Sequence, residues 1–270
     1  LGHKLFKLVP NNVISWYCVA CYYYILGQYE ASERHFKKVT SIDPRFIDGW
    51  IGLGHVLSLQ DDSEQALDAY RTAHRIFPGN YMSSLCMGME SSKTSNLVLG
   101  EQYIKMAMNL QDTDPLNFNE MGVLKYRAGE YEEALKYFNQ AMNLKPHDNP
   151  IAEVWESVFY NTGHCYRKLQ KYNEALHFYE EALSLKPKDG SIYCVIGFTY
   201  HLMKQYHKAI EYYHKAMGLR YEEQHLTREL LIKALSHLGN QPANIVLPPE
   251  AEHASTTLPI PEHLIKNKKG

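Results

Sequence analysis

Gly122, Gly88, Gly54 and Ala20 stand 34 residues apart, and Ala141, Ala107 and Ala73 repeat the same interval. Two small-residue registers sharing one period leave few folds open. A module of that length is one supersecondary unit, which buries its apolar face only by stacking on copies of itself. The stretch Pro115–Asp148, PLNFNEMGVLKYRAGEYEEALKYFNQAMNLKPHD, contains one such module. Phe118, Met121, Gly122 and Lys125 follow helical spacing in its first half, and Ala134, Phe138 and Ala141 lie on one helical stripe in its second. Gly129 between them suits a turn that needs positive φ, and Pro146 stops the second helix. A glycine inside a helix costs about 1 kcal/mol against alanine, so Gly122 predicts a close approach to Ala134. Leucine at Gly122 would overpack that contact at a cost of about 1–3 kcal/mol.

Small, aromatic, small and proline slots at this period resemble the tetratricopeptide repeat (TPR). The resemblance implies an all-α solenoid, a right-handed superhelix of antiparallel helix pairs. Residues 1–10 read as the end of a truncated preceding repeat, closed by Pro10. Full repeats follow at 13–46 (Trp16, Ala20, Gly27, Phe36, Pro44) and 47–80 (Trp50, Gly54, Ala66, Tyr70, Ala73, Pro78). The repeat at 81–114 is degenerate: Ser84 replaces the aromatic, Gly100 weakens the second helix, and the stop falls to Pro115. After 115–148 the register slips, because Gly122 and Gly163 are 41 residues apart. An insertion at 149–155 absorbs the difference, with the next first helix starting early. Repeats resume at 156–189 and 190–223, residues 224–239 read as a capping helix ended by Gly239, and 240–270 is a proline-rich tail of disordered composition. Three lysines near its end, Lys266, Lys268 and Lys269, fit solubility better than nuclear import.

Composition narrows the function by exclusion. A formal net charge of −2 gives no pull towards nucleic acid or a membrane surface. No run of about eighteen apolar residues predicts a membrane span, and the opening residues are not expected to act as a signal peptide. Cys18, Cys21, Cys86, Cys165 and Cys194 are scattered through helices and read as reduced, buried thiols of an intracellular protein. Cys18-x-x-Cys21 lacks the second pair or the βαβ context that zinc or redox chemistry needs, so core packing is the better reading. Gly52-x-Gly54 lacks a preceding strand and a third glycine. Fourteen histidines show no metal-ligand spacing. No catalytic residue, cofactor or metal is expected, and the chain is not expected to be an enzyme.

What remains is a surface. In stacks of this family the first helices line the concave face, and one stripe of each points inward. That stripe is expected to hold Tyr17, Cys21 and Tyr24; Ile51 and His55; Met82, Leu85 and Met89; and Asn119, Val123 and Tyr126. Further on it holds Tyr160, His164 and Arg167; Cys194, Phe198 and His201; and Arg228. An exposed, aromatic-rich lining of this kind suits an extended or helical peptide. His55 and His164, each following a repeat glycine, are placed to hydrogen-bond such a peptide.

Several strings go beyond a generic repeat: WIGLGH at 50–55, NTGHCYRKLQKYNEAL at 161–176, IGFTYHLM at 196–203 and KAMGLR at 215–220, together with the insertion before Trp155. They are similar to the carboxy-terminal repeats of subunit 6 of the anaphase-promoting complex, the cell division cycle protein 16 homologues. The resemblance covers roughly residues 1–220. It implies a non-catalytic scaffold of a RING-type E3 ubiquitin ligase that marks mitotic cyclins and securin for degradation. Its expected partners are the other subunits of the complex. Chief among them is a small one like cell division cycle protein 26, whose amino-terminal segment would lie along the stripe above. The family's homodimer contact uses amino-terminal repeats and is expected to be missing. The resemblance also implies an intracellular location in nucleus and cytoplasm, with spindle association.

Two rivals are weighed on residues. A co-chaperone clamp for an acidic carboxy-terminus needs Lys, Arg and Asn on the inner stripe, where this chain carries Tyr17, Cys21, Ile51 and His55. An adaptor for an enzyme whose catalytic part lies elsewhere, such as a sugar transferase, would want an asparagine ladder. The corresponding slots read Cys18, Gly52, Cys86, Glu120, Asn161 and Val195.

Overall fold

Turn geometry and small-residue slots together decide how these helices meet. The computed structural model describes residues 12–144, 152–219, 221 and 224–238, with the helix at 152–154 described without its side chains. The expectations for 1–10, Pro146, residues 149–151, Gly239 and the tail lie outside those residues. Thirteen α-helices and no strand run through the described residues, which fall into two compact units, 12–127 and 128–238.

The first unit contains α1 (Val13–Ile25), α2 (Tyr29–Ile42), α3 (Ile47–Leu59), α4 (Ser63–Ile76), α5 (Tyr81–Lys93), α6 (Leu97–Leu110) and α7 (Pro115–Arg127). The second contains α8 (Tyr131–Asn143), α9 (Ala152–Lys168), α10 (Tyr172–Leu185), α11 (Gly190–Leu202), α12 (Tyr206–Met217) and α13 (Gln224–Leu238). In the first unit each odd-numbered helix through α5 packs on the even one after it, and each even one on the next odd one. In the second, α9 packs on α10 and α11 on α12, while α8, α10 and α12 bridge to α9, α11 and α13.

The repeat glycines explain the close pairing. A Cβ added at Gly54 would strike the ring of Tyr70; at Gly163 it would lie 2.5 Å from Tyr179 Cε1, and at Gly197 2.8 Å from Tyr213 Cδ1. The partner in these pairs is therefore the aromatic of the second helix, more than the small residue that the Gly122–Ala134 pairing predicts. Tyr70, Tyr179 and Tyr213 are almost fully buried, so the ring has no room to retreat.

Gly100 corrects an expectation. The expected weak point does not interrupt α6, which is continuous from Leu97 to Leu110. Gly100 fills the slot that Ala66, Ala134, Ala175 and Ala209 fill elsewhere, and its Cβ would meet the Gly88 carbonyl at 3.1 Å. Two glycines face each other there and bring two backbones into contact. Pro115 likewise opens α7 instead of ending α6, which stops at Leu110. Proline suits a first helical position because the missing N–H would have been unpaired anyway. The first repeat carries Ser32 in the small slot, and its hydroxyl donates to the Ala20 carbonyl across the pair at 2.8 Å.

Each intra-repeat turn places one residue in the left-handed region. Gly27 (φ 71°), Asp61 (60°), Ser95 (64°), Gly129 (81°), Gln170 (60°) and Lys204 (60°) occupy it in turn. The chain closes the preceding helix with a bond reaching five residues back, as from Asp62 N to Leu57 O and from Lys171 N to Tyr166 O, both 2.9 Å. Four first helices begin on Asn or Asp caps: Asn12, Asn80, Asp114 and Asp189 accept from the Ile14, Ser83, Leu116 and Ser191 amides, whereas α3 follows Phe46 without one. Each such cap contributes about 0.5–2 kcal/mol.

Candidate functional site: the first-helix faces

The first helices of the repeats are α1, α3, α5 and α7 in the first unit and α9, α11 and α13 in the second. Most of the residues expected to face inward are buried. Tyr17, Cys21, Ile51, His55, Leu85, Met89, Asn119, Val123 and Tyr126 are each under a tenth exposed, as are His164, Arg167 and Cys194, while Tyr160 stands at 9%. Tyr24, Met82, Phe198 and His201 are half-buried and Arg228 is exposed. The aromatic members Tyr17, Tyr126 and Tyr160, expected to stand open, are thus covered within the chain. Tyr17 meets Phe36 and Phe46 edge-on, with centroids 5.8 and 5.3 Å apart.

The two histidines after repeat glycines find partners inside their own repeats. His55 Nδ1 lies 2.9 Å from the Tyr70 hydroxyl, and His164 Nδ1 lies 2.9 Å from that of Tyr179. Arg167 also donates to His164 Nδ1 at 3.3 Å, and its guanidinium covers the Phe198 ring at 5.2 Å. Burial holds His55 down to about 4, so its ring is neutral near pH 7. The other ring nitrogen, Nε2, is buried without a partner.

A polar group gathers in the first unit. Ser58 donates to Glu90 Oε2 at 2.5 Å, while Glu90 Oε1 is buried and unpaired. Lys93 donates to the Ser58 carbonyl and forms an ion pair with Asp61 at 2.9 Å. Glu120 accepts from Asn119 at 3.0 Å, and burial pushes its carboxyl up to about 8 against the opposing pull of Asn119 and Arg127. Burial raises the Cys86 thiol, and the nearby Glu120 and Glu90 raise it further. Cys21 and Cys165 are raised to about 12, again chiefly by burial. All five cysteines are free thiols; Cys18 is partly exposed and the others are buried. Among the described residues, no group of three His, Cys, Asp or Glu could hold a metal, and no helix is long and apolar enough to cross a membrane.

Sequence reading missed Glu90, Glu120 and Lys233 as buried charges. A signal was present in the repeat register. Glu90 and Lys233 fall in the slot that holds Val56, Leu124, Cys165 and Thr199 in other repeats. All six are under a tenth exposed. A charge standing in an otherwise uncharged core slot marks a position that packing alone does not explain.

Known proteins match this geometry. The tetratricopeptide repeat model matches residues 14–46, 115–148, 157–189 and 190–222. Anaphase-promoting complex subunit 6 of Arabidopsis thaliana is 38% identical over 167 residues, covering 62% of this chain and 30% of the relative. The cell division cycle protein 16 homolog of Homo sapiens is 35% identical over 201 residues, covering 73% and 32%. The chain therefore spans about a third of the length of these curated relatives. A chain in the crystal structure of the APC/C hetero-tetramer Cut9–Hcn1 superposes with a TM-score of 0.78 at 28% identity, covering 87% of this chain and 45% of that one.

Proposed function

Because the chain is a tetratricopeptide repeat protein that resembles subunit 6 of the anaphase-promoting complex, we propose that it serves that E3 ubiquitin ligase as a non-catalytic scaffold. Its part is to hold other subunits. It binds an extended segment of a small partner, of the kind cell division cycle protein 26 supplies, on its first-helix faces. In that way it supports cell-cycle ubiquitination in nucleus and cytoplasm and at the spindle. The observation that carries this reading is the likeness, over 87% of the chain, to a structure in which Cut9 is assembled with Hcn1. In the second unit, half-buried Phe198 and His201 with exposed Arg228 offer a segment an apolar anchor and polar contacts; in the first, half-buried Tyr24 and Met82 offer apolar ones.

The test is affinity purification of the tagged chain from cell extract, read by mass spectrometry, beside a Phe198→Ala, Arg228→Glu variant. Wild type is expected to recover other subunits of the complex with a very small protein. The variant is expected to lose the small protein and keep the rest. Recovery of heat-shock chaperones in place of the complex would sink the scaffold reading. Equal recovery of the small protein by both would show that these side chains do not hold it.

A further inference from the structure

Helices α11, α12 and α13 bring together a group of bases with no acid among the described residues that meet there. Lys233 on α13 is 6% exposed, and its ammonium makes neither a hydrogen bond nor an ion pair. Beside it, the His201 and His237 rings meet edge-on with centroids 5.3 Å apart. Tyr206 stacks on His237 at 5.4 Å and 12°, and meets His201 edge-on at 5.4 Å. The Tyr213 hydroxyl lies 3.4 Å from His201 Nδ1. In the tautomer in which Tyr213 donates, the neutral His201 ring carries its proton on Nε2 and can donate from there.

Among the described residues of these three helices, no carboxylate neutralises the group. Helix α11 carries no acidic residue. The one acid on α12, Glu211, is held by Lys215 at 2.7 Å. The one acid on α13, Glu229, is exposed and makes no ion pair, although it stands one turn from Lys233. Burial, then His237 and Lys233, hold the His201 ring down to about 4, as expected where positive neighbours have no counter-charge. The Lys233 stem is buried while its ammonium has no counter-charge among the described residues, so an anion seated against it would gain a charge-assisted hydrogen bond.

We propose that Lys233, His201 and His237 form an anion-binding subsite on the first-helix face of the second unit, taking the carboxylate or phosphate of a bound polypeptide. Lys233 supplies the charge, His201 Nε2–H a directed donor, and the exposed His237 the open side of the site. The subsite deepens the segment-binding reading and rests on it only for where the anion comes from.

The test follows the histidine side-chain NMR signals of the whole 270-residue chain during titration with acetate or inorganic phosphate, with chloride at matched ionic strength. Saturable shifts at His201 and His237 are expected with both oxyanions, and the His201 midpoint should rise by about one pH unit when the site is filled. Lys233→Met keeps the buried stem and should weaken binding about tenfold or more; Lys233→Arg should keep it. Shifts that chloride reproduces, or that survive Lys233→Met in a protein with wild-type helical content, would overturn the subsite. Two peptides of one sequence, carrying either glutamate or phosphoserine, then identify the source by which binds tighter. Small anions need no partner subunit, so a failed titration leaves the purification result standing, and a failed purification leaves the titration standing.

Discussion

One slot of the repeat holds Val56, Glu90 and Leu124 in the first unit and Cys165, Thr199 and Lys233 in the second. The backbone treats all six alike: each lies on a first helix and is under a tenth exposed. Their chemistry differs completely. Glu90 finds the Ser58 hydroxyl for one oxygen, Thr199 donates to its own helix at the Val195 carbonyl, and Lys233 has no partner among the described residues. By contrast the glycine–aromatic pair recurs as Gly54 with Tyr70, Gly163 with Tyr179 and Gly197 with Tyr213. The difference separates two kinds of buried position. Where two helix backbones touch, sterics accept only a small residue; in the other slot, anything of suitable volume fits if its polar atoms are handled.

The largest expected effect breaks the shared part. Gly54→Leu in the first unit and Gly163→Leu in the second should each cost about 3 kcal/mol, because the added side chain meets a buried tyrosine ring in both. Urea unfolding of the two variants is the check. Similar losses would mean that both units rest on the same steric lock. A loss under about 1 kcal/mol in either would mean that its tyrosine can swing aside.

The second prediction concerns the variable slot. Lys233→Met should stabilise the second unit by up to about 1 kcal/mol, because it replaces an unpaired positive charge beside His201 with an apolar side chain of similar length. Glu90→Met, in the same slot of the first unit, should destabilise by about 1–2 kcal/mol, because it strands the Ser58 hydroxyl. Opposite signs at equivalent positions are the point of the experiment, and equal signs would refute the contrast between a half-satisfied and an unsatisfied charge.

Acid and base sharpen the same contrast. Glu120 ionises near 4.5 in the unfolded chain and about 8 in the fold, so the folded state holds the extra proton between those values. Its contribution is present below 4.5 and is lost as pH rises towards 8, with a slope of up to ~1.4 kcal/mol per pH unit. His201 runs the other way: its ring is held to about 4 against 6.5, so stability is full above 6.5 and falls as pH drops towards 4. Glu120→Gln should therefore flatten the alkaline side of the first unit's profile, and His201→Gln the acid side of the second's. Hydrogen exchange resolved by residue would assign each slope to its unit.

Much of the fold was legible because period and sterics coincide. Gly54, Gly163 and Gly197 could be read from the sequence, since a glycine inside a helical pattern needs a packing reason. Their partner was less legible: the 34-residue interval places Ala134 and Phe138 equally well on the second helix, and only ring position chooses between them. Gly100 was misread because local helix propensity argued against it, while a facing glycine, Gly88, settled its role. The faces were harder still. Helical spacing put Tyr17, His55 and Tyr160 on one stripe, but whether a stripe is open depends on how far neighbouring first helices stand apart, which spacing along one helix does not encode.

The smallest expected effect concerns the turns, where the two units carry the same geometry on different residues. Gly27 and Gly129 are free to adopt positive φ, whereas Ser95, Gln170 and Lys204 hold it against the crowding of Cβ on the following carbonyl. Glycine at each of these three should raise stability by about 0.5 kcal/mol, the gain in the turn being partly offset by the freer unfolded chain. The converse change, Gly129→Ala, should cost about 1 kcal/mol although an added Cβ there meets nothing within 4 Å. Thermal melts of the single and triple glycine variants measure this. A triple variant no more stable than wild type would mean that Ser95, Gln170 and Lys204 offset their strain by local contacts, and that turn and helix are tuned separately in each repeat.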